Sequence, residues 1–564
     1  MAEPFGSSTL NNGQVITAAQ VNHLPIVASY ARHLGLVEIV NRLVPVEMEV
    51  EPGIIVLGLV LDTLSGRSPL YHLESAFEAC DREVLFGQEI PASDFSDDNV
   101  GRILDHLFTA GTQKIFSALS VSALQRFKLS TRHVHFDTTS VNVYGEYLGA
   151  SGDEVPFKIT QGYSKDKRPD LKQFVLSLLC VDGDVPIVGK LEDGNASDKK
   201  INHQVLSDIA RHMKAHGVDD KAFIYIADSA MVTQKNLERA GPFISRLPAT
   251  YNECERAILS AIDADQWEEI GRIALTAPTR NRPVATYRVH EETVTLYDQP
   301  YRAVVVHSSA HDKRRQKRLE RELDASLKAI KIMEKAHVKK SFFCPADAEA
   351  AALDAMAQDT VYHQLQVSVV ALPRYAPGRP KKNAPRTPIA MTYGLQAEVI
   401  EKQHEIARRR KMAGCFVLLS NVPSEGEAGY SSEEILRTYK EQHAIERNFS
   451  FLKDDQIVNA IFLNRPERIE ALGLILLISL LIWRLIEHTM RTDLEARDTT
   501  VPGWDNKPTR RPTAYMLTWK FKGVMTLCIG QQRQLAQPLS PTQQAFLKAL
   551  QVPESCFTHM PRDG

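Results

Sequence analysis

The spacing of apolar and polar positions changes near residue 130, and the change divides the chain. From about residue 15 to residue 129 apolar residues recur at helical spacing, which predicts a mostly helical segment. The run at 54–64, nearly all apolar, predicts a helix stopped by Gly66. Ser96 followed by Asp97 and Asp98 predicts a helix start, and Val100, Ile103, Leu104 and Leu107 mark its buried face. From residue 133 the period becomes two and β-branched residues are frequent. Strands are predicted at 133–143, 172–181, 186–190, 222–229 and 242–247, with helices at about 198–216 and 233–240. Three strands, a helix, a strand, a helix and a strand predict a mixed α/β layer arrangement.

Between 251 and 412 the pattern is irregular, with short antiparallel strands predicted at 286–290, 293–297 and 302–307. A heptad-like helix is predicted at 312–340, where Leu319, Leu323, Leu327 and Ile330 share a face. The Pro-rich stretch 371–388 reads as an extended basic linker. A further strand is predicted at 415–421, then a helix from near Ser431 that carries on past Lys453. The most apolar run, 471–483, is bounded by Glu470 and Arg484 and falls short of the ~20 residues of a bilayer span. It reads as a buried core helix. The resulting organisation is a helical N-terminal domain (1–130), a first part of the core (131–250), an insertion (251–412), a second part of the core (413–490) and a C-terminal tail region (491–564).

Composition adds an objection. The chain has 564 residues, 67 Lys and Arg against 69 Asp and Glu, and a formal net charge of −2, whereas nucleic-acid binders are usually basic. The charge is segregated, however. Residues 312–340 hold eleven Lys or Arg and five acids, net +6, and 371–388 holds five basic residues and no acid. Phosphate responds to the local field, so the total does not exclude DNA. The seven cysteines are scattered, with no CxxC pair, so neither a disulfide framework nor a zinc site is predicted. The N-terminus lacks the basic start and apolar stretch of a signal peptide, and a cytoplasmic location is expected.

Three acids stand apart. Asp137 lies mid-strand, Asp228 closes an apolar strand, and Glu446 lies on the late helix. A charged acid in such a strand is costly without partners or a ligand. Taken singly, Asp137 also fits an edge-strand charge, Asp228 a turn or helix cap, and Glu446 a solvated face. Tyr439, Gln442, Glu446 and Lys453 recur on one stripe of the predicted helix, beside an apolar stripe of Ile445, Phe449 and Leu452.

That helix resembles the Y-x2-R-x3-E-x6-K motif of the DDE transposases of bacterial insertion sequences, matched by Tyr439, Gln442, Glu446 and Lys453. Gln442 stands where the motif has arginine, and Arg447 is the nearby cation that could compensate. The stretch 162–173, GlyTyrSerLysAspLysArgProAspLeuLysGln, is also similar to this family, and the resemblance covers most of the chain. It implies an RNase H-like mixed-sheet core, interrupted by an insertion between the fifth strand and the Glu-bearing helix. In it Asp137, Asp228 and Glu446 would converge and bind Mg²⁺ or Mn²⁺, as two ions, with Asp137 bridging. The reaction implied is cleavage at the element end, followed by attack of the freed 3′-hydroxyl on target DNA. The partners implied are double-stranded DNA, as element ends and target, and a second copy of the chain in a homodimer on DNA. The N-terminal domain would bind the element end. DNA contacts would come from Tyr439, Gln442, Arg447 and Lys453, and from Ser164, Lys165, Arg168 and Lys172. Arg379, within a ProGlyArgProLysLys piece similar to an AT-hook, would add a minor-groove contact. Two alternatives remain open: an RNase H-like nuclease or resolvase that does not join strands, and a domesticated DNA-binding protein. A glycosidase with paired acids is a more distant rival and leaves the basic segments unexplained.

Overall fold

The computed structural model describes residues 8–9, 15–66, 68–143, 147, 155–164, 168–182, 184–197, 200–201, 204, 223–274, 284–378, 387–454, 463, 465–529 and 532–559. The chain forms two compact units, one made of 1–245 and 438–564, the other of 246–437. The second unit is therefore longer at both ends than the insertion expected at 251–412. Strand Cys415–Ser420 falls within the bounds of this unit, where it pairs with Gln299–Ser308, Val417 opposite Val305.

In the first unit the N-terminal helices form as their patterns predict. Helix Pro52–Ser65 ends at Gly66, whose φ of 113° suits glycine. Helix Asp97–Ala110 buries Val100, Ile103, Leu104 and Leu107. Residues 15–20, expected as the start of the helical segment, are instead a strand paired with Met525–Ile529, Gln20 opposite Met525. A local pattern carries no sign of a partner 500 residues away. The C-terminal region is correspondingly no tail: helix Pro541–Leu550, with a Ser540–Gln543 capping box, packs on the core.

The core sheet of this unit has strands His133–Val143, Lys172–Val181, Val185–Glu192, Ile224–Ala227 and Phe243–Arg246. The first two coincide with the predicted spans. Numbered along the chain, they lie in the order third, second, first, fourth, fifth. The first three are antiparallel, and the fourth and fifth run parallel to the first. This is a mixed α/β fold. The helix predicted at 198–216 falls largely outside the described residues, and the one at 233–240 is a short helix, Gln234–Leu237.

The apolar run becomes helix Pro466–Ala496, long and apolar enough to cross a membrane, but 89% of its apolar window is buried inside the protein. It lies so close to the third strand that a Cβ on Gly189 would come within 2.5 Å of Leu477. Each fully buried Leu or Ile there contributes roughly 1.5–3 kcal/mol, so this helix gives the third strand apolar support.

The second unit is more regular than its sequence suggests. Strands Thr286–Leu296 and Gln299–Ser308 form a hairpin whose turn, Tyr297 and Asp298, has φ of 52° and 61°. Helix Ser309–Val338 presents Leu327 and Ile330 to a second hairpin, His363–Arg374 with Ala390–Glu401. Of the expected Pro-rich linker, residues 371–374 are paired strand of that hairpin, Ile389 N–H donates to Arg374 O at 2.9 Å, and 379–386 lie outside the described residues.

Candidate active site

The parallel pairing of the first and fourth strands sets the site. It places His133 opposite Ile224 and His135 opposite Ile226. Two residues further along each chain, Asp137 is level with Asp228. Both are on the face that bears His135 and Ile226, on neighbours about 4.8 Å apart. Asp228 sits just past its strand with extended backbone (φ −72°, ψ −178°). Its Oδ1 accepts from Ala230 N–H at 3.0 Å, and its carbonyl accepts from Ser245 Oγ at 2.8 Å. The helix-cap reading of Asp228 is therefore also true: the cap orients one carboxylate oxygen. Asp137 Oδ1 accepts from Thr138 N–H at 2.7 Å. Both aspartates are partly exposed, and Thr138, Thr139 and Ser140, which follow Asp137 in its strand, are buried. The phenol of buried Tyr225 is pushed well above its ordinary range, by burial first and then by the charges of Asp228 and Asp137. Both carboxylates thus lie within electrostatic reach of one group.

The Glu446 helix is not the continuous rod that the spacing predicts. Helix Ser432–Glu441 ends, and helix His443–Leu452 begins after Gln442. Tight three-residue bonds, Gln442 N–H to Tyr439 O at 3.2 Å and Ile445 N–H to Gln442 O at 3.1 Å, mark the joint. Tyr439 and Gln442 lie before or at that joint, Glu446 in the first turn after it, and Lys453 beyond the last turn with φ −113° and ψ 2°. Gln442 itself keeps helical angles, φ −55° and ψ −25°, so the joint is a local tightening of the helix. The apolar stripe holds: Ile445, Phe449 and Leu452 are buried.

The second of these helices lies over the face of the sheet that carries Asp137. Asn448 Nδ2 lies 3.3 Å from Cys180 Sγ and donates to Asp184 O at 2.8 Å, and Cys180 is paired with His135. At the joint, Glu441 accepts from His133 Nδ1 at 3.2 Å and faces buried His135 Nε2 at 3.8 Å. Burial would raise the Glu441 carboxyl, but the two histidines outweigh it and pull it down to about 2. The pair HisValHis ahead of Asp137 was the sequence signal for this latch, since alternate strand residues share a face.

Behind the helix lies a charged cluster that the sequence reading missed. Arg484 donates to Asn448 Oδ1 and to Glu487 Oε2, both at 2.6 Å, and Arg491 donates to Glu487 Oε2 at 2.6 Å. Arg447 donates to Asp184 Oδ2 at 3.0 Å. Arg447 is therefore engaged in holding its helix to the turn before the third strand, rather than standing in beside Gln442. Its guanidinium is lowered in pKa by burial, against the pull of Asp184.

Glu446 is exposed. Among the described residues no three His, Cys, Asp or Glu side chains are gathered as a ready-made metal site. The structure thus brings Asp137 and Asp228 together as a pair and carries Glu446 on the helix over their face, outside a closed cluster. Of the other expected contacts, Ser164 Oγ accepts from Arg168 N–H at 3.1 Å, and Arg168 is paired with Asp170 at 2.7 Å. Lys172 opens the second strand. Lys165 and Arg379 lie outside the described residues.

No curated protein matches the chain. Residues 16–121, from the first strand through most of the N-terminal helices, match the model of a family described as a domain of unknown function (DUF4277).

Proposed function

We propose that the protein is a DNA transposase of the DDE type, with an RNase H-like core, that cuts at element ends and joins them to target DNA. The observation that carries this reading is the level placement of Asp137 and Asp228 on parallel neighbours, under a helix that bears Glu446. The sheet supports it too, with three antiparallel strands, two parallel ones, and a separate unit between the fifth strand and the Glu-bearing helix.

The donor set fits a hard divalent cation, Mg²⁺ or Mn²⁺, because both side chains offer only oxygen and one oxygen of each is already oriented by a backbone N–H. Asp137 and Asp228 would hold it, with Glu446 as the third donor. When bound, such ions activate the attacking oxygen and offset charge on the leaving one. The chain's own work is positional. The Asp228 cap and the Asp137 strand fix two carboxylates, and the latch at Glu441 with the Asn448 anchor fixes the helix that brings the third. Tyr439, Gln442 and Lys453 are assigned to DNA beside the cut phosphate, Lys453 as a point charge.

The test uses the DNA flanking the coding region, whose inverted repeats supply the substrate. With Mg²⁺ and a pre-cut 3′ end, joined products are expected. Asp228→Asn should lower joining at least about 100-fold, a loss of about 2.7 kcal/mol in transition-state stabilisation. Cutting without joining would assign the chain to the nuclease or resolvase class. Binding without cutting would make it a DNA-binding protein only, and full activity in Asp228→Asn would place the site elsewhere.

A further inference from the structure

Within the second unit lies a cavity of about 260 Å³ that the Asp137 site does not use. Its wall is apolar where Ile258, Leu319 and Phe416 face it, all three buried. Four arginines border it: Arg246, Arg315, Arg318 and Arg409. Two of them are already neutralised. Arg318 pairs with Glu322 at 2.6 Å, and the Tyr362 hydroxyl donates to the same glutamate at 2.9 Å. Arg409 pairs with Glu405 at 2.9 Å. The other bordering acid, Glu255, is taken by Arg408.

Arg246 and Arg315 remain. Among the described residues neither has a carboxylate partner. Arg246 lies with its guanidinium 5.1 Å from the centre of the Phe416 ring. Both arginines line the cavity together with Cys254, and both guanidinia draw its thiol downward, against the larger upward effect of its burial. Two unpaired guanidinia beside an apolar wall attract an oxyanion, since their planar forks match phosphate oxygens. The ring of Phe416 and the aliphatic Ile258 and Leu319 then suit a flat, weakly polar group attached to that anion.

We propose that this cavity binds a small phosphomonoester with a flat organic part, of the size of a nucleoside monophosphate. The phosphate lies on Arg246 and Arg315, and the flat part lies on Phe416. The phosphate carries roughly −1.5 to −2 charges at neutral pH, which matches the two unpaired cations. The site is built wholly from the second unit and stands independently of the transposase reading.

Titration calorimetry on the full chain with adenosine monophosphate, inorganic phosphate and adenosine tests this. The monophosphate should bind about tenfold more tightly than either fragment, because only it uses both halves of the cavity. Arg315→Gln, an exposed position on the long helix, should weaken it about tenfold, as expected for a lost charge-assisted contact. Arg246→Gln should do the same while keeping the wild-type thermal transition, and Lys313→Gln should leave binding unchanged. Absence of saturable binding overturns the proposal. So does a monophosphate no tighter than phosphate, which leaves the apolar wall without a role. Unchanged affinity in Arg315→Gln overturns it as well.

Discussion

Glu441 shows how one side chain can set the position of a helix. Its carboxylate meets two strand histidines, one of them fully buried, two and four residues before Asp137. The folded carboxyl titrates at about 2, below the ordinary 4.5. Its contribution to stability is therefore complete above about 4.5 and is lost as the pH falls through about 2. The side chain is 47% exposed, so after solvent screening the contribution is about 1 kcal/mol. Urea unfolding should show Glu441→Gln less stable than wild type at pH 6 by about that amount, with the two curves converging as the pH approaches 2. Both histidines and Asp137 were visible in the sequence as alternate residues of one predicted strand. Glu441 was not, because His133 lies 308 residues before it in the chain and no local pattern links the two.

At the scale of elements, the buried charges around Arg484 explain why the Glu446 helix sits where it does. Glu487 takes two guanidinia and the Ala514 N–H at 2.9 Å, while Arg484 also holds Asn448. Arg484→Leu would leave Asn448 Oδ1 without its donor and Glu487 with Arg491 as its remaining cation, which should cost about 1–3 kcal/mol in denaturant unfolding. Elements with a strong local pattern were readable in advance. The strand at 133–143 alternates in part and is rich in β-branched residues, that at 172–181 is nearly all apolar, and Leu319, Leu323, Leu327 and Ile330 do face inward. What could not be read was long-range: Arg484 and Glu487 looked like the end of an apolar run, because Asn448, Asp184 and Ala514 lie far away in sequence. The same limit hid strand 15–20, which pairs with 525–529 across the length of the chain.

For the whole molecule, the near-neutral total conceals a basic helix, net +6 over 312–340. If that surface carries phosphate contacts, DNA affinity should fall steeply with added salt. Each Lys or Arg of the helix replaced by glutamine should then reduce the slope of log affinity against log salt by about one where it meets a phosphate. Filter binding across a salt series measures this, and an unaltered slope for every such variant would assign the helix to folding alone.

The pairing of Gln20 with Met525 also has a consequence for the order of events during synthesis. The ribosome must translate almost the entire message before residues 15–20 can meet their partner strand. Asp137 and Asp228 can be set side by side far earlier, while the Glu446 helix follows only after the second unit has emerged. Ring closure over so long a contour is not prohibitive, since each doubling of length adds only about 0.6 kcal/mol, but it comes late. A nascent chain stalled before residue 525 would expose the strand edge at 15–20, an unpaired template for another chain. Premature termination before residue 525 is therefore a route to aggregation.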